Sequence, residues 1–99
     1  MQLTESQKKY LRSRGHPLKP VILVGQAGFS AALAAEFGRA LTDHELVKVK
    51  VRGAERSERD AIFAELAASG GAELVQRIGN TGLFYRPHPE RPRIMLPDV

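Results

Sequence analysis

The chain has 99 residues, enough for one domain with a single core and too few for two mononucleotide-binding halves. Fifteen Lys and Arg against 11 Asp and Glu leave a net charge of +4 and a pI near 9.9, a balance that favours a polyanionic partner. The absence of cysteine excludes a disulfide scaffold and thiolate chemistry, and the lack of any apolar run as long as a signal or membrane segment predicts a soluble, intracellular, cytoplasmic protein with no membrane partner.

Thr4 and Gln7 stand at capping-box spacing, and good helix formers follow until Gly15 and Pro17, so the first helix is expected over about Glu5 to Arg14. Tyr10 and Leu11 can face a core while Lys8, Lys9, Arg12 and Arg14 stay wet. That excess of one sign makes Lys8, Lys9 and Arg12 candidate phosphate contacts. The segment His16-Pro17-Leu18-Lys19-Pro20 disfavours helix and leads into Val21-Ile22-Leu23-Val24, which reads as a short strand buried on both faces. Lys19 is expected near the loop that follows the strand.

That loop, Gly25-Gln26-Ala27-Gly28, lacks a Cβ at two of its four positions and can lie close against another surface. Ser30 is a candidate N-cap for a second helix running to about Thr42, with Leu33, Phe37 and Leu41 at helical spacing. The helix would aim unpaired N–H groups and the positive end of its dipole at the loop, for which phosphate is the expected guest. Gly38, inside this helix, suggests close packing against the sheet. Asp43 and His44 are expected to end it.

Leu46 to Arg52 alternates, placing Val47, Val49 and Val51 on one face and Lys48, Lys50 and Arg52 on the other. A strand, a helix and a strand in this order predict a parallel pair. Ser57 and Asp60 suggest the cap of a third helix over about Glu58 to Ser69, stopped by Gly70-Gly71. Its Arg56 and Arg59 are balanced in number by Glu55, Glu58, Asp60 and Glu65, so that face is assigned no ligand. Glu73 to Ile78 and Leu83 to Arg86 read as two further strands around a turn at Gly79-Asn80-Thr81-Gly82. The remainder, from Pro87, holds four of the six prolines and suits either an extended segment lying over the body, docked through Ile94, Met95 and Leu96, or a loose tail.

Catalysis finds little support. No two of His16, His44 and His88 have metal-ligand spacing, and no serine sits in a nucleophile elbow. His44, between two acids, is expected as a loop residue hydrogen-bonded to backbone rather than a general base. The glycine loop lacks the first G-x-G of a dinucleotide fingerprint and the lysine of a P-loop. With Lys19, Lys48 and Lys50 around it, a G-x-x-G loop instead suits a nucleic-acid backbone contact, the device used by KH domains.

Four motifs in order, His16-Pro17-Leu18-Lys19-Pro20, Val24-Gly25-Gln26-Ala27-Gly28, His44-Glu45-Leu46-Val47-Lys48-Val49-Lys50, and Ile78-Gly79 with Tyr85-Arg86-Pro87, resemble the stand-alone bacterial CRM domain, the YhbY type of RNA-binding protein. The resemblance runs from Leu3 to Leu96. It implies an α/β fold of two or three layers, in the order α-β-α-β-α-β-β, with a four-stranded mixed sheet similar to the C-terminal domain of translation initiation factor 3. It further implies a single noncatalytic domain, without cofactor, metal or small-molecule substrate, that associates with ribosomal RNA in precursors of the large subunit. Plant relatives assist group II intron splicing. By that likeness Gly25, Gln26, Ala27 and Gly28 take the place of the RNA-contacting loop, and Lys19, Lys8, Lys9, Arg12, Lys48 and Lys50 add charge around it. Related loops often carry a basic residue where this one has Gln26 and Ala27, so the attraction must come from the surroundings. The chain is expected to act as a monomer. The alternative is a protein-interaction module that docks on a ribosomal protein or assembly factor through Arg91 to Leu96.

Overall fold

The computed structural model describes residues 2–98. Thr4 opens the first helix, α1 (Glu5–Gly15), with a reciprocal capping box: the Gln7 N–H donates to Thr4 Oγ1 at 3.1 Å, and the Thr4 N–H donates to Gln7 Oε1 at 3.0 Å. Then follow β1 (Ile22–Val24), α2 (Ala31–His44), β2 (Leu46–Val51), α3 (Arg56–Gly70), β3 (Glu73–Ile78) and β4 (Thr81–Tyr85). The mixed sheet has the order β1-β2-β4-β3, with β1 parallel to β2 and the other pairs antiparallel. This is the α-β-α-β-α-β-β arrangement the residues imply.

Strand alternation divides the apolar residues between two faces, and so produces three layers. Ile22, Val24, Val47, Val49, Val51 and Phe84 meet α2 and α3 through Leu33, Phe37, Leu41, Ile62, Phe63 and Leu66. The Phe84 ring sits edge-on to Phe37, with centroids 5.0 Å apart. On the opposite face Leu46, Val75, Leu83 and Tyr85 are covered by Leu11 of α1 and by Ile94 from the C-terminal segment.

Several expectations change in three dimensions. β1 is an edge strand, so only Ile22 and Val24 are buried; Leu23 is 55% exposed because α1 lies across β2, β3 and β4 instead. Gly38 is not a close-packing position, since nothing lies within 4 Å of where its Cβ would be. Its carbonyl instead accepts from Arg86 Nη2 at 3.1 Å. The tight helical positions are Gly15, which belongs to α1 rather than stopping it, and Gly70. A Cβ there would stand 2.6 Å from Leu83 Cδ2 and 2.8 Å from Phe37 Cε2, respectively. α3 begins earlier than Ser57: Glu55 is its N-cap, and its N–H donates to Glu58 Oε1 at 3.3 Å. Thr81 and Gly82 belong to β4 because the reversal needs only Gly79, at φ +58°, and Asn80. His44 is the last residue of α2 rather than part of a loop.

The segment after Tyr85 is neither strand nor loose tail. Three of its backbone N–H groups, those of His88, Arg93 and Ile94, donate to the carboxylate of Glu45 at 2.7, 2.9 and 2.9 Å, and Gln7 Nε2 of α1 donates to the Pro97 carbonyl at 2.9 Å. Ile94 is buried and Leu96 packs beside it, whereas Met95 points outward.

Candidate nucleic-acid interface

The glycine loop leaves the C-terminal end of β1 and enters α2, as the sequence requires. The Gly28 N–H donates to the Gly25 carbonyl at 3.1 Å, closing a tight turn, and Gly28 takes φ +68°, a conformation that favours glycine. Gln26 and Ala27 are exposed at the tip. Nothing stands within 4 Å of a Cβ built on Gly25, so its bare backbone faces open space rather than serving internal packing. Ser30 caps α2 by accepting the Leu33 N–H at 3.1 Å on Oγ.

The remaining candidate residues do not gather around this loop. Lys19 precedes β1 while the loop follows it, so the two lie at opposite ends of an extended segment, roughly 20 Å apart along the chain. Lys19 lines a 520 Å³ recess with Arg14, His44 and Arg93. Lys8, Lys9 and Arg12 lie on α1, in the layer across the sheet from α2 and α3; Lys9 is exposed, and Lys8 stands 3.7 Å from Glu5. Lys48 faces α1 as the alternation predicts, but its ammonium donates to the Leu18 carbonyl at 3.0 Å and reaches the His16 carbonyl at 3.4 Å, tying down the connection into β1.

Lys50 differs. It is paired across the sheet with Leu23, two positions before Gly25, and with Thr81, which is paired in turn with Ile78. This row crosses the half of the sheet that α1 leaves uncovered: Leu23 is 55% and Ile78 68% exposed. Lys50 on β2 and the exposed Arg52 just after it, whose N–H donates to the Val24 carbonyl at 2.9 Å, are therefore the cations at the loop's end of the sheet.

Three further arginines reach that end. Arg56 and Arg59 on the first turns of α3 and Arg77 on β3 line a recess of 290 Å³ together with Gly79. Counting the acids near Arg56 and Arg59 along the sequence hid this, because β3 approaches α3 only in space. Strand alternation gave no signal either, since it puts Arg77 on the face opposite Leu74; only the bulge between Leu74 and Gln76 resets the register, pairs Arg77 with Gly82 and turns it toward Phe63 of α3.

The carboxyl of Glu45 lies at the other end of β2. Burial by itself pushes its pKa up, but the N–H donors of His88, Arg93 and Ile94, with the Arg93 guanidinium 4.0 Å away, outweigh this and hold it below the usual carboxylate range. Tyr85 is pushed up by burial and by the Glu45 charge. Both features belong to the packing of the C-terminal segment.

The family model of the CRS1 / YhbY (CRM) domain matches residues 3–86. The chain belongs to the CRM domain family. Among curated CRM relatives, a Pseudomonas aeruginosa protein named a probable RNA-binding protein is 49% identical over 90 residues, covering 91% of this chain and 86% of that one. A Haemophilus influenzae protein named an RNA-binding protein is 39% identical over 95 residues, covering 96% of this chain and 95% of that one. The solution structure of a Staphylococcus aureus protein, described as a candidate RNA-binding protein, superposes with a TM-score of 0.81 at 32% identity, covering 97% of this chain and all of the other. The CRM core therefore spans α1 through β4, and the clasp on Glu45 is built largely by residues beyond the matched region.

Proposed function

We propose that this protein is a noncatalytic RNA-binding domain that grips ribosomal RNA in precursors of the large subunit, in the cytoplasm, mainly through phosphate contacts. One observation carries the reading: a bare-backbone turn, open on its outer side, stands at the N-terminus of α2 and at the same end of the sheet as Lys50 and Arg52. N–H groups and fixed cations around a Cβ-free surface suit a ribose-phosphate chain, whose contacts position a protein without reading bases. The names of the relatives support RNA as the partner, and the large-subunit precursor is what the resemblance to YhbY-type proteins implies.

Lys19 and Lys48 are secondary in this account, the first because it lies at the far end of β1, the second because its ammonium is spent on backbone carbonyls. The protein-docking alternative loses its anchor, since Ile94 and Leu96 are committed to the body of the domain.

The test is binding of the purified protein to protein-free large-subunit ribosomal RNA across a salt series. Gly25→Asp places a carboxylate in open space at the turn. It is expected to abolish binding with an unchanged melting temperature, while wild-type affinity falls steeply with salt as counterions are released. Unaltered binding by the variant, or an affinity indifferent to salt, removes the loop or the phosphates from the mechanism.

A further inference from the structure

We infer that the recess formed by Arg56, Arg59 and Arg77 is a second phosphate site, into which the RNA backbone runs after leaving the glycine loop. The inference rests on the RNA-binding reading above and adds to it a site on the α3 side of the sheet.

Three guanidinium groups share this recess, and a carboxylate pairs with only one of them among the described residues. Of the three, Arg77 is the one with an acidic partner among the described residues, Asp60; it also donates from Nε to the Gly79 carbonyl at 3.3 Å and lies 5.1 Å from the centre of the Phe63 ring. These contacts hold Arg77 in place and engage its Nε and Nη1, which leaves Nη2 for a further acceptor. Arg59 is held through Nη1, which donates to the Ala54 carbonyl at 2.8 Å, while its Nε is out of contact with water and has no acceptor. A guanidinium keeps its charge whatever bonds it makes, so Arg59 contributes a fixed positive charge to the wall of the recess. Arg56 is exposed. Glu58 accepts the Glu55 N–H at the start of α3 and forms no ion pair with Arg56 or Arg59 among the described residues.

The position supplies the direction. A Cβ on Gly28 would stand 4.0 Å from Ile62 Cδ1, one turn beyond Arg59 on α3, and a Cβ on Gly53 would stand 4.0 Å from Gln26 Cγ. The loop thus rests against the 53–62 segment that carries two of the arginines. The Val51 N–H donates to the Asn80 carbonyl at 2.8 Å, which ties the Gly79-Asn80 turn at the rim of the recess to the end of β2. A polyanion lying on the glycine loop has a cationic route past Arg52 to the recess. That continuity favours RNA over an acidic polypeptide as the occupant.

The probe is protein-free large-subunit ribosomal RNA, titrated at several salt concentrations against wild type, Arg56→Gln/Arg59→Gln, the single Arg56→Gln, Gly25→Asp, and Arg39→Gln/Arg91→Gln. The last removes the same charge from exposed positions elsewhere. The recess double variant is expected to bind at least tenfold more weakly and to lose about 0.7–0.9 of salt slope for each phosphate contact removed, while the control double changes far less. Arg56→Gln, at an exposed position, keeps the fold and should show part of the loss even if Arg59→Gln disturbs α3. If wild type and Gly25→Asp differ but the recess variants match the control double in affinity and slope, the second site is overturned and the loop survives, leaving the recess to an acidic polypeptide. If wild type itself does not bind, the RNA reading fails and the recess falls with it.

Discussion

The carboxylate of Glu45 accepts the backbone N–H of Ile94 at 2.9 Å, joining the start of β2 to a residue 49 positions later. Glu45 is fully buried and takes φ +64°, a conformation costly for a residue with a side chain. Its own N–H donates to the Leu41 carbonyl at 2.8 Å and its carbonyl accepts the Arg86 N–H at 2.9 Å. The turn at this positive-φ residue ends α2 and leads directly into β2. The side chain, thereby directed inward, finds three peptide donors from a proline-rich segment that has no ladder of its own.

Glu45→Gln is expected to lower stability by about 1–3 kcal/mol, because an amide NH2 then faces donors that need an acceptor. The loss is measured by urea unfolding. Hydrogen exchange at the amides of His88, Arg93 and Ile94 should accelerate more than in the strands. If those three amides stay as protected as in wild type, the carboxylate is not what holds the segment.

The same group makes stability depend on acid. Its folded pKa lies below that of an unfolded glutamate, about 4.3, so its contribution is fully present above the unfolded value and is lost as pH falls through the folded one. The stability difference between wild type and Glu45→Gln should therefore be constant near neutrality and shrink below about pH 4. A difference that grows on acidification would mean that burial, not the donors, controls the carboxyl.

Two helical glycines should respond in opposite ways. Gly70→Ala drives a methyl against Phe37 and the nearby Leu41 Cδ1, and overpacking of this kind costs about 1–3 kcal/mol. Gly38→Ala meets nothing within 4 Å and removes a flexible position from α2, for an expected gain of up to about 1 kcal/mol. Melting temperatures of the two variants decide it.

The loop glycines are likewise unequal. Gly28→Ala must hold an alanine at φ +68°, at a cost of about 1 kcal/mol, whereas Gly25→Ala leaves stability within about 0.5 kcal/mol. Urea unfolding of the two single variants tests this. It also identifies position 25 as the one where an effect on RNA binding can be read free of folding.

Local rules made much of the architecture legible in advance. The capping box at Thr4, the spacing of Leu33, Phe37 and Leu41, and the alternation of β2 each follow from helix and strand periods that need no distant partner. The glycine loop was visible for the same reason, since freedom from Cβ is a property of the residues themselves. Strand order was not. Because β1 falls at the sheet's edge, Leu23 is exposed where an apolar run suggests burial on both faces, and because α1 crosses the other strands, Lys48 is turned onto carbonyls.

Sequence alone determined the elements, their succession and the two opposed faces of β2, since these depend on backbone geometry and the polarity of neighbours a few residues apart. Tertiary structure alone decided which charges meet. Arg77 joins Arg56 and Arg59 through the packing of β3 against α3, Lys19 is parted from the loop by the direction of β1, and Glu45 is paired with peptide groups more than forty residues away. Electrostatic contacts depend on distance in space, and along this chain that distance is set by the order in which the strands assemble.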